Sequence, residues 1–496
     1  MKKTLLLAVA LLMICTVILA ACGGEGGESS AIESSTASTA DKNDASKNDS
    51  DAESNASDDS GSVSDDSEGS EDSDVGDDNN DNNNDNNDDN DNDNSNDNSS
   101  AIPSEITTIP TEYVEGGLNI EACSYTEKPY FVIVGRCEDG ATVTGLVNGK
   151  TYSSESYKGW YSLRLPCPSQ NVGVELSQTV NGEQVGDTVA YNLKPATPGG
   201  DMWPVVAGGD FQFFFQKMLP DFQGTNLPSN LHLNNLAVRT KNKLSLLREN
   251  NPDAELIYLL VPSSMSVYSE LVPDDYTPAS GDTKYDLIVD KLTEGGATVI
   301  DLKGAFEEHK NDEMPLYYKL DSHWSDYGAF IAYTELFEHI SKTFPKAAPR
   351  GEDEFNWNPG YYDSGDMSYY IARNVSEALK NQQTIKEYSY YRTFTGSVPA
   401  SIFKIDRYVS ENKLTYNDRM TYDNVINTGD SSLPNCIVFR DSYSTQIYDI
   451  LAERMNRTHY YGMWNYTWDK ASISSESPDY VIYIVAEWNL DAVLYN

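Results

Sequence analysis

Two short runs in this 496-residue chain carry the residue types of nucleophilic chemistry. Asp321-Ser322-His323-Trp324 sets a carboxylate two positions before an imidazole, and Arg440-Asp441-Ser442-Tyr443 sets a hydroxyl directly after an apolar run. On an extended segment, residues two apart share a side. The Asp321 carboxylate then fixes the tautomer of the imidazole and leaves its second ring nitrogen free to accept a proton. Cys436-Ile437-Val438-Phe439 reads as a strand and the residues from Ser444 as a helix, which puts the Ser442 hydroxyl in a strand–turn–helix setting at the positive end of a helix. Ser442, His323 and Asp321 are therefore the candidate nucleophile, base and orienting acid of an acyl-transfer site. Backbone N–H groups beside Ser442 and at the start of the following helix are expected to hold the oxyanion.

The elements that must position these residues can be read from 200 to 496. Asn230 to Asn250 has helical spacing of Leu231, Leu236, Leu244 and Leu247. Glu255 to Val261 is a buried-strand run, Tyr285 to Glu294 a helix, and Thr298 to Leu302 a strand. Ser325 can cap a helix through Phe344, with Asp326 favourable in its first turn. Asp479 to Val485 gives a late strand. Strands alternating with helices predict an α/β domain, a parallel sheet covered by helices on both faces, with its site beyond the carboxyl ends of the strands. Glu487 and Asn489, after the last strand, would lie at that edge and are candidate substrate contacts, as are Arg440, Tyr443 and Trp324.

From 106 to 195 the pattern is short alternating runs. Asn148-Gly149 and Asn181-Gly182 mark hairpin turns, and about seven strands predict a small all-β sandwich of immunoglobulin-like type. Residues 195–200 read as a linker. Residues 1–21 read as a signal peptide: Lys2 and Lys3, an apolar stretch from Leu5, then Leu19-Ala20-Ala21-Cys22. The close of that stretch resembles a bacterial lipobox, which implies export, cleavage before Cys22 and lipidation there, on the cell membrane and facing outward. Residues 22–105 are an acidic Asp/Asn/Ser-rich tract carrying about half of the formal charge of −43. So little apolar surface cannot offset chain entropy, and a disordered tether is expected. The tract lacks the glycine and spaced glutamate of a calcium loop.

Acidity argues against nucleic acid as a partner. Of the six cysteines, Cys15 leaves with the signal and Cys22 takes lipid. One disulfide is expected among Cys123, Cys137 and Cys167, its pairing open. No cysteine or histidine spacing suits zinc, and neither a metal nor a cofactor is expected. His232, His309, His339 and His459 read as surface or packing residues. Tyrosine clusters at Tyr361-Tyr362, Tyr369-Tyr370, Tyr388 to Tyr391 and Tyr460-Tyr461, with Trp464 and Tyr466, read chiefly as core and strand residues, with sugar stacking as the functional alternative.

The motifs also resemble a family. Leu316 to Ser325 with Gly328-Ala329 resembles the signature of the DHHW family, a branch of SGNH-hydrolase-like proteins that includes the alginate O-acetyltransferases. Gly208-Gly209-Asp210 with Phe213-Phe214, Val261-Pro262-Ser263-Ser264, Val299 to Leu302, Ser364-Gly365-Asp366-Met367 and Phe439 to Ser444 fit the same pattern in the same order. Ser322 and Arg440 depart from it, Arg440 standing where many relatives have glycine. The resemblance implies an SGNH-hydrolase-like fold, with Ser442, His323 and Asp321 as nucleophile, base and acid. It implies acetyl transfer from a donor, by way of a membrane-bound acyltransferase, to hydroxyls of an exopolysaccharide or wall glycan. A carbohydrate acetyl esterase using the same site, and a non-catalytic glycan-binding lipoprotein, are the competing expectations.

Overall fold

The computed structural model describes residues 117–127, 130–193, 204–362, 365–368, 387–395, 404–408 and 421–496. The signal peptide, Cys22, the acidic tract and the linker at 195–200 lie outside the described residues, as do Tyr369 and Tyr370.

Two antiparallel sheets form the first layer pair. One has the order β1-β2-β5, with β1 Ala122–Glu127, β2 Tyr130–Arg136 and β5 Trp160–Pro166. The other runs β4-β3-β6, with β3 Thr142–Val147, β4 Lys150–Glu155 and β6 Val172–Val180; β7 Glu183–Gln184 and β8 Val189–Leu193 both pair with β6. Both Asn-Gly turns close hairpins with positive φ at each central residue, at Asn148-Gly149 and Asn181-Gly182, as the twist of the flanking strands requires. Ile133, Leu163 and Leu165 of the first sheet and Val143, Val174 and Leu176 of the second share one apolar core.

The chain then enters a short hairpin, β9 Val205–Ala207 and β10 Phe213–Phe215, and a seven-stranded sheet in the order β12-β11-β19-β17-β18-β16-β15. Its members are β11 Glu255–Val261, β12 Thr298–Asp301, β15 Lys404–Tyr408, β16 Asn424–Asn427, β17 Asn435–Arg440, β18 Arg457–Tyr460 and β19 Tyr480–Ala486. A separate antiparallel pair, β13 Phe355–Tyr362 and β14 Glu387–Phe394, precedes β15 in the chain. The five strands from β12 to β18 are parallel, and β16 and β15 extend the sheet antiparallel. Alternate residues of β11 divide between two cores: Ile257, Leu259 and Val261 face the helices Asp326–Ile340 and Ser444–Glu453, while Leu256, Tyr258 and Leu260 face the helices Asn230–Leu247 and Lys284–Glu294. A strand buried on both faces reads as a continuous apolar run, which is why β11 and β19 are legible.

The two parts are not separate bodies. Ala122, Val132, Val134 and Trp160 of the first sheet pack with Val205, Ala207, Phe211 and Phe213 of the β9–β10 hairpin, and with Leu320 and Met367. Arg164 adds a two-pronged ion pair to Asp275, at 2.6 and 2.8 Å.

The expected disulfide is absent: Cys123, Cys137, Cys167 and Cys436 are free thiols. Cys123 Sγ instead donates to Tyr191 Oη at 3.1 Å, and burial pushes the Cys137 and Cys436 thiols up to about 12. Non-reducing peptide mapping of these four cysteines is expected to find no linked pair, and thiol titration of the native protein should leave Cys137 and Cys436 unreacted until unfolding. A recovered Cys–Cys peptide among them would contradict this arrangement.

Candidate active site

Ser442 follows β17, a strand flanked on both sides by β19 and β18 and buried along Cys436–Arg440. The turn is built on Asp441. Its Oδ1 accepts the Tyr443 N–H at 3.0 Å; its Oδ2 accepts the Ala486 N–H at 2.9 Å and Asn489 Nδ2 at 3.3 Å. Its own carbonyl receives Ser444 Oγ at 2.8 Å, and the helix Ser444–Glu453 starts there. Burial pushes the Asp441 pKa up, against the two backbone N–H bonds. Asp441 thus holds the turn through both carboxylate oxygens.

His323 arrives from a different direction. The segment from Tyr318 to His323 is a bend closed by a bridge between Tyr317 and Trp324. This corrects the extended reading: Asp321 and His323 meet because the Asp321 carboxylate folds back on the imidazole, not because they share a strand face. Asp321 Oδ1 lies 2.6 Å from His323 Nδ1 and also accepts the His323 N–H at 3.0 Å. His323 Nε2 lies 2.8 Å from Ser442 Oγ. A continuous hydrogen-bonded line therefore runs from carboxylate through imidazole to hydroxyl. The helix Asp326–Ile340 leaves directly afterwards, capped by Ser325 Oγ, which accepts the N–H groups of Tyr327 and Gly328 at 3.1 and 3.2 Å.

Arg440, Tyr443, Trp324 and Glu487, candidate substrate contacts by sequence, are all buried. Trp324 Nε1 donates to the Tyr443 carbonyl at 2.8 Å, and Tyr443 Oη donates to the Ser322 carbonyl. The aromatic neighbour of His323 thus braces the Ser442 segment and that of Ser442 the His323 segment, and both rings are fully buried. Arg440 turns inward: its Nε donates to the Tyr461 carbonyl at 2.8 Å, and its guanidinium lies over the Tyr448 and Tyr460 rings. Glu487 Oε2 accepts the Ser263 N–H at 2.6 Å and Ser266 Oγ at 2.8 Å. Half-buried Asn489 donates to Asp441 and to Tyr466 Oη. Of the aromatic clusters, Tyr460 and Tyr461 are core residues, while Tyr361, Tyr391 and Trp464 are exposed. His309, His339 and His459 each pair with a carboxylate, and His232 packs on Tyr495.

The oxyanion expectation narrows as well. The Tyr443 N–H is taken by the Asp441 carboxylate and the Ser444 N–H approaches the Asp441 carbonyl at 3.2 Å. Among the described residues the Ser442 N–H makes no hydrogen bond, which leaves it the donor beside the nucleophile.

Asp366 lies 43 residues after His323, and nothing in the local spacing ties the two together. Its Oδ1 accepts the Ser322 N–H at 2.7 Å, its Oδ2 accepts Ser322 Oγ, and its own N–H points to Asp321 Oδ2 at 3.3 Å. Asp321, His323 and Asp366 each offer one ligand atom within 4.8 Å of the others. These atoms are already tied to one another or to Ser322, so the cluster is organised as a hydrogen-bonded relay. Burial lowers the His323 pKa, but attraction and hydrogen bonding from Asp321, with the charges of Asp366 and Asp441, more than reverse this and carry it up to about 9. Burial, then the Asp321 charge, raises Asp366 to about 6.

Residues 234–397 match the family model described as SGNH hydrolase-like domain, acetyltransferase AlgX. That stretch, about a third of the chain, is similar to the SGNH hydrolase-like domain of acetyltransferase AlgX. The matched stretch includes Asp321, His323 and Asp366 and ends before Ser442. No curated protein matches the chain. Solved structures that resemble it at low identity include the following three. The O-acetyltransferase domain of AlgJ from Pseudomonas putida is 18% identical over 59% of this chain and 92% of that one, with a TM-score of 0.37. PatB1 of Bacillus cereus with a sulfonyl adduct is 13% identical over 58% and 98%, with a TM-score of 0.41. A DHHW family protein from Eubacterium siraeum is 16% identical over 64% and 92%, with a TM-score of 0.35. At these scores the alignments carry no functional argument.

The raised imidazole pKa has a definite sign. A folded value near 9 against 6.5 unfolded means the charged pair adds stability below pH 6.5 and loses it as pH rises through about 9. Base catalysis needs the neutral ring, so kcat/KM for an acetyl ester is expected to climb with pH toward about 9, and Asp321→Asn should bring the midpoint down. A profile already flat from pH 7 upward would remove His323 from the role of base.

Proposed function

We propose that this protein is an extracytoplasmic O-acetyltransferase that moves acetyl groups onto hydroxyls of an exopolysaccharide or wall glycan. The observation that carries the reading is the unbroken line of 2.6 and 2.8 Å contacts from Asp321 through His323 to Ser442, set at the carboxyl ends of parallel strands within an AlgX-type domain. Ser442 Oγ attacks the acetyl carbonyl carbon of the donor while its proton passes to His323 Nε2. The Ser442 N–H faces the developing oxyanion; one such donor is worth about 3–4 kcal/mol. The donor's leaving group departs with the proton from Nε2, and an acetyl-serine ester remains. A sugar hydroxyl then attacks that ester and gives its proton to Nε2; collapse places the acetyl on the sugar oxygen and returns the proton to Ser442 Oγ. Asp321 keeps the ring oriented and stabilises the imidazolium at each stage.

The terminal segments suit this role. Lipid on Cys22 would anchor the chain to the outer face of the cell membrane. The acidic stretch 22–105 would serve as a tether that lets the site reach glycan beyond the bilayer, ~50 Å for about 80 residues. A membrane-bound acyltransferase would then supply the acetyl group from the other side. The two-sheet domain fits an immunoglobulin-like sandwich, with β1-β2-β5 facing β4-β3-β6-β8.

The test is turnover of a chromogenic acetyl ester with and without a polysaccharide acceptor. Wild type should release chromophore faster with acceptor, and acetyl should appear on the sugar. Ser442→Ala should lose about 10³-fold or more. Release that ignores acceptor, with no acetylated sugar, would instead mark an esterase, and absence of turnover in wild type would leave a glycan-binding lipoprotein.

A further inference from the structure

The segment from Tyr318 to His323 has no helix or sheet of its own, yet its backbone groups are met almost one by one from elsewhere. The Tyr318 carbonyl accepts Gln212 Nε2 at 3.2 Å, the Lys319 carbonyl accepts the Phe213 N–H at 3.0 Å, and the Leu320 carbonyl accepts the Ser368 N–H at 3.0 Å. The donors go to carboxylates. Glu387, the first residue of β14 and buried, takes the Lys319 N–H on Oε1 at 2.5 Å and the Leu320 N–H on Oε2 at 3.0 Å. Asp366 takes the Ser322 N–H and hydroxyl. Gly365 lies against the same loop, where a Cβ would stand 2.3 Å from the Leu320 carbonyl oxygen, so no larger residue fits without moving it.

We propose that Asp366 and Glu387 are positioning residues that clamp the backbone on either side of Asp321 and so hold the line from Asp321 to Ser442. The proposal rests on the Ser442–His323–Asp321 reading above. Neither acid touches Ser442; each acts through the N–H groups it grips. A carboxylate suits the task because both its oxygens accept, and charge-assisted bonds to backbone N–H are the stronger kind. A carboxamide offers one oxygen and turns an NH2 toward a second N–H. Burial raises Glu387 to about 8 against the two N–H bonds, so the two-oxygen grip of the carboxylate is complete only above that pH, where the variants are compared.

The experiment uses the full chain and the variants E387Q, E387D and D366N, with kcat counted per Ser442 labelled by a sulfonyl fluoride so that only folded sites enter. E387Q and D366N are expected to lose about 10- to 100-fold in kcat, the scale of a small displacement of reacting groups, with KM for a chromogenic acetyl ester little changed. E387D, which keeps two acceptor oxygens, should recover part of the loss. D366N should also move the acid limb of the pH profile to lower pH, because a negative charge near His323 is gone, whereas E387Q should not. Wild-type kcat per labelled serine in both E387Q and D366N overturns the clamp. If wild type turns over no acetyl ester, the acetyl chemistry has failed. Amide exchange then decides the clamp: E387Q and D366N should speed exchange in a peptide spanning 318–323 while leaving 256–261 protected, and unchanged exchange in 318–323 overturns it.

Discussion

The hydrogen bond between His323 Nε2 and Ser442 Oγ is the contact on which this structure turns, because it joins a loop before one helix to a turn before another across 119 residues of chain. One hydrogen bond contributes only about 1 kcal/mol and cannot hold two segments in register by itself. The register comes from Trp324 and Tyr443, which donate across the gap in opposite directions from fully buried positions. Arg440 completes the arrangement from a fully buried position, its guanidinium lying against the stacked pair of rings of Tyr448 and Tyr460.

Around the imidazole the electrostatics are crowded. Asp321, Asp366 and Asp441 all act on His323, and the ring carries the balancing positive charge. Carboxylates withdrawn from water are expensive unless their oxygens are met. Here backbone N–H groups meet them: Asp441 takes Tyr443 and Ala486, Asp366 takes Ser322, and Asp321 takes His323. The same bonds that lower the cost of burial also fix the loops, so charge compensation and geometry are one arrangement.

The first, all-β part of the chain belongs to this arrangement too. Its β1-β2-β5 sheet packs on Leu320 and Met367, the immediate neighbours of Asp321 and Asp366, and Lys319 Nζ lies 4.2 Å from the Tyr157 ring centroid. A module that served only to bind glycan at a distance would not need to share a core with the catalytic loop.

Residue types and periodicity already determined much of this. The apolar runs of β11, β17 and β19, the cap at Ser325, the two Asn-Gly hairpins and the closeness of Asp321 to His323 were legible, because each depends on near neighbours in the chain; the meeting of His323 with Ser442 across 119 residues is not a local property. The roles of Asp366, Glu387, Trp324, Tyr443 and Arg440 were not legible either. A carboxylate that grips N–H groups 44 or 67 residues away leaves no trace in local spacing, and whether a Trp or Tyr faces a cleft or the core is decided by what packs on it. The free thiols follow the same logic: cysteine count and export suggest a bridge, but only the positions the strands impose decide whether two sulfurs meet. The linear chain thus determined the chemistry on offer and the elements that carry it, while the tertiary structure decided which buried groups hold the catalytic loop still, because those contacts exist only once distant segments share one interior.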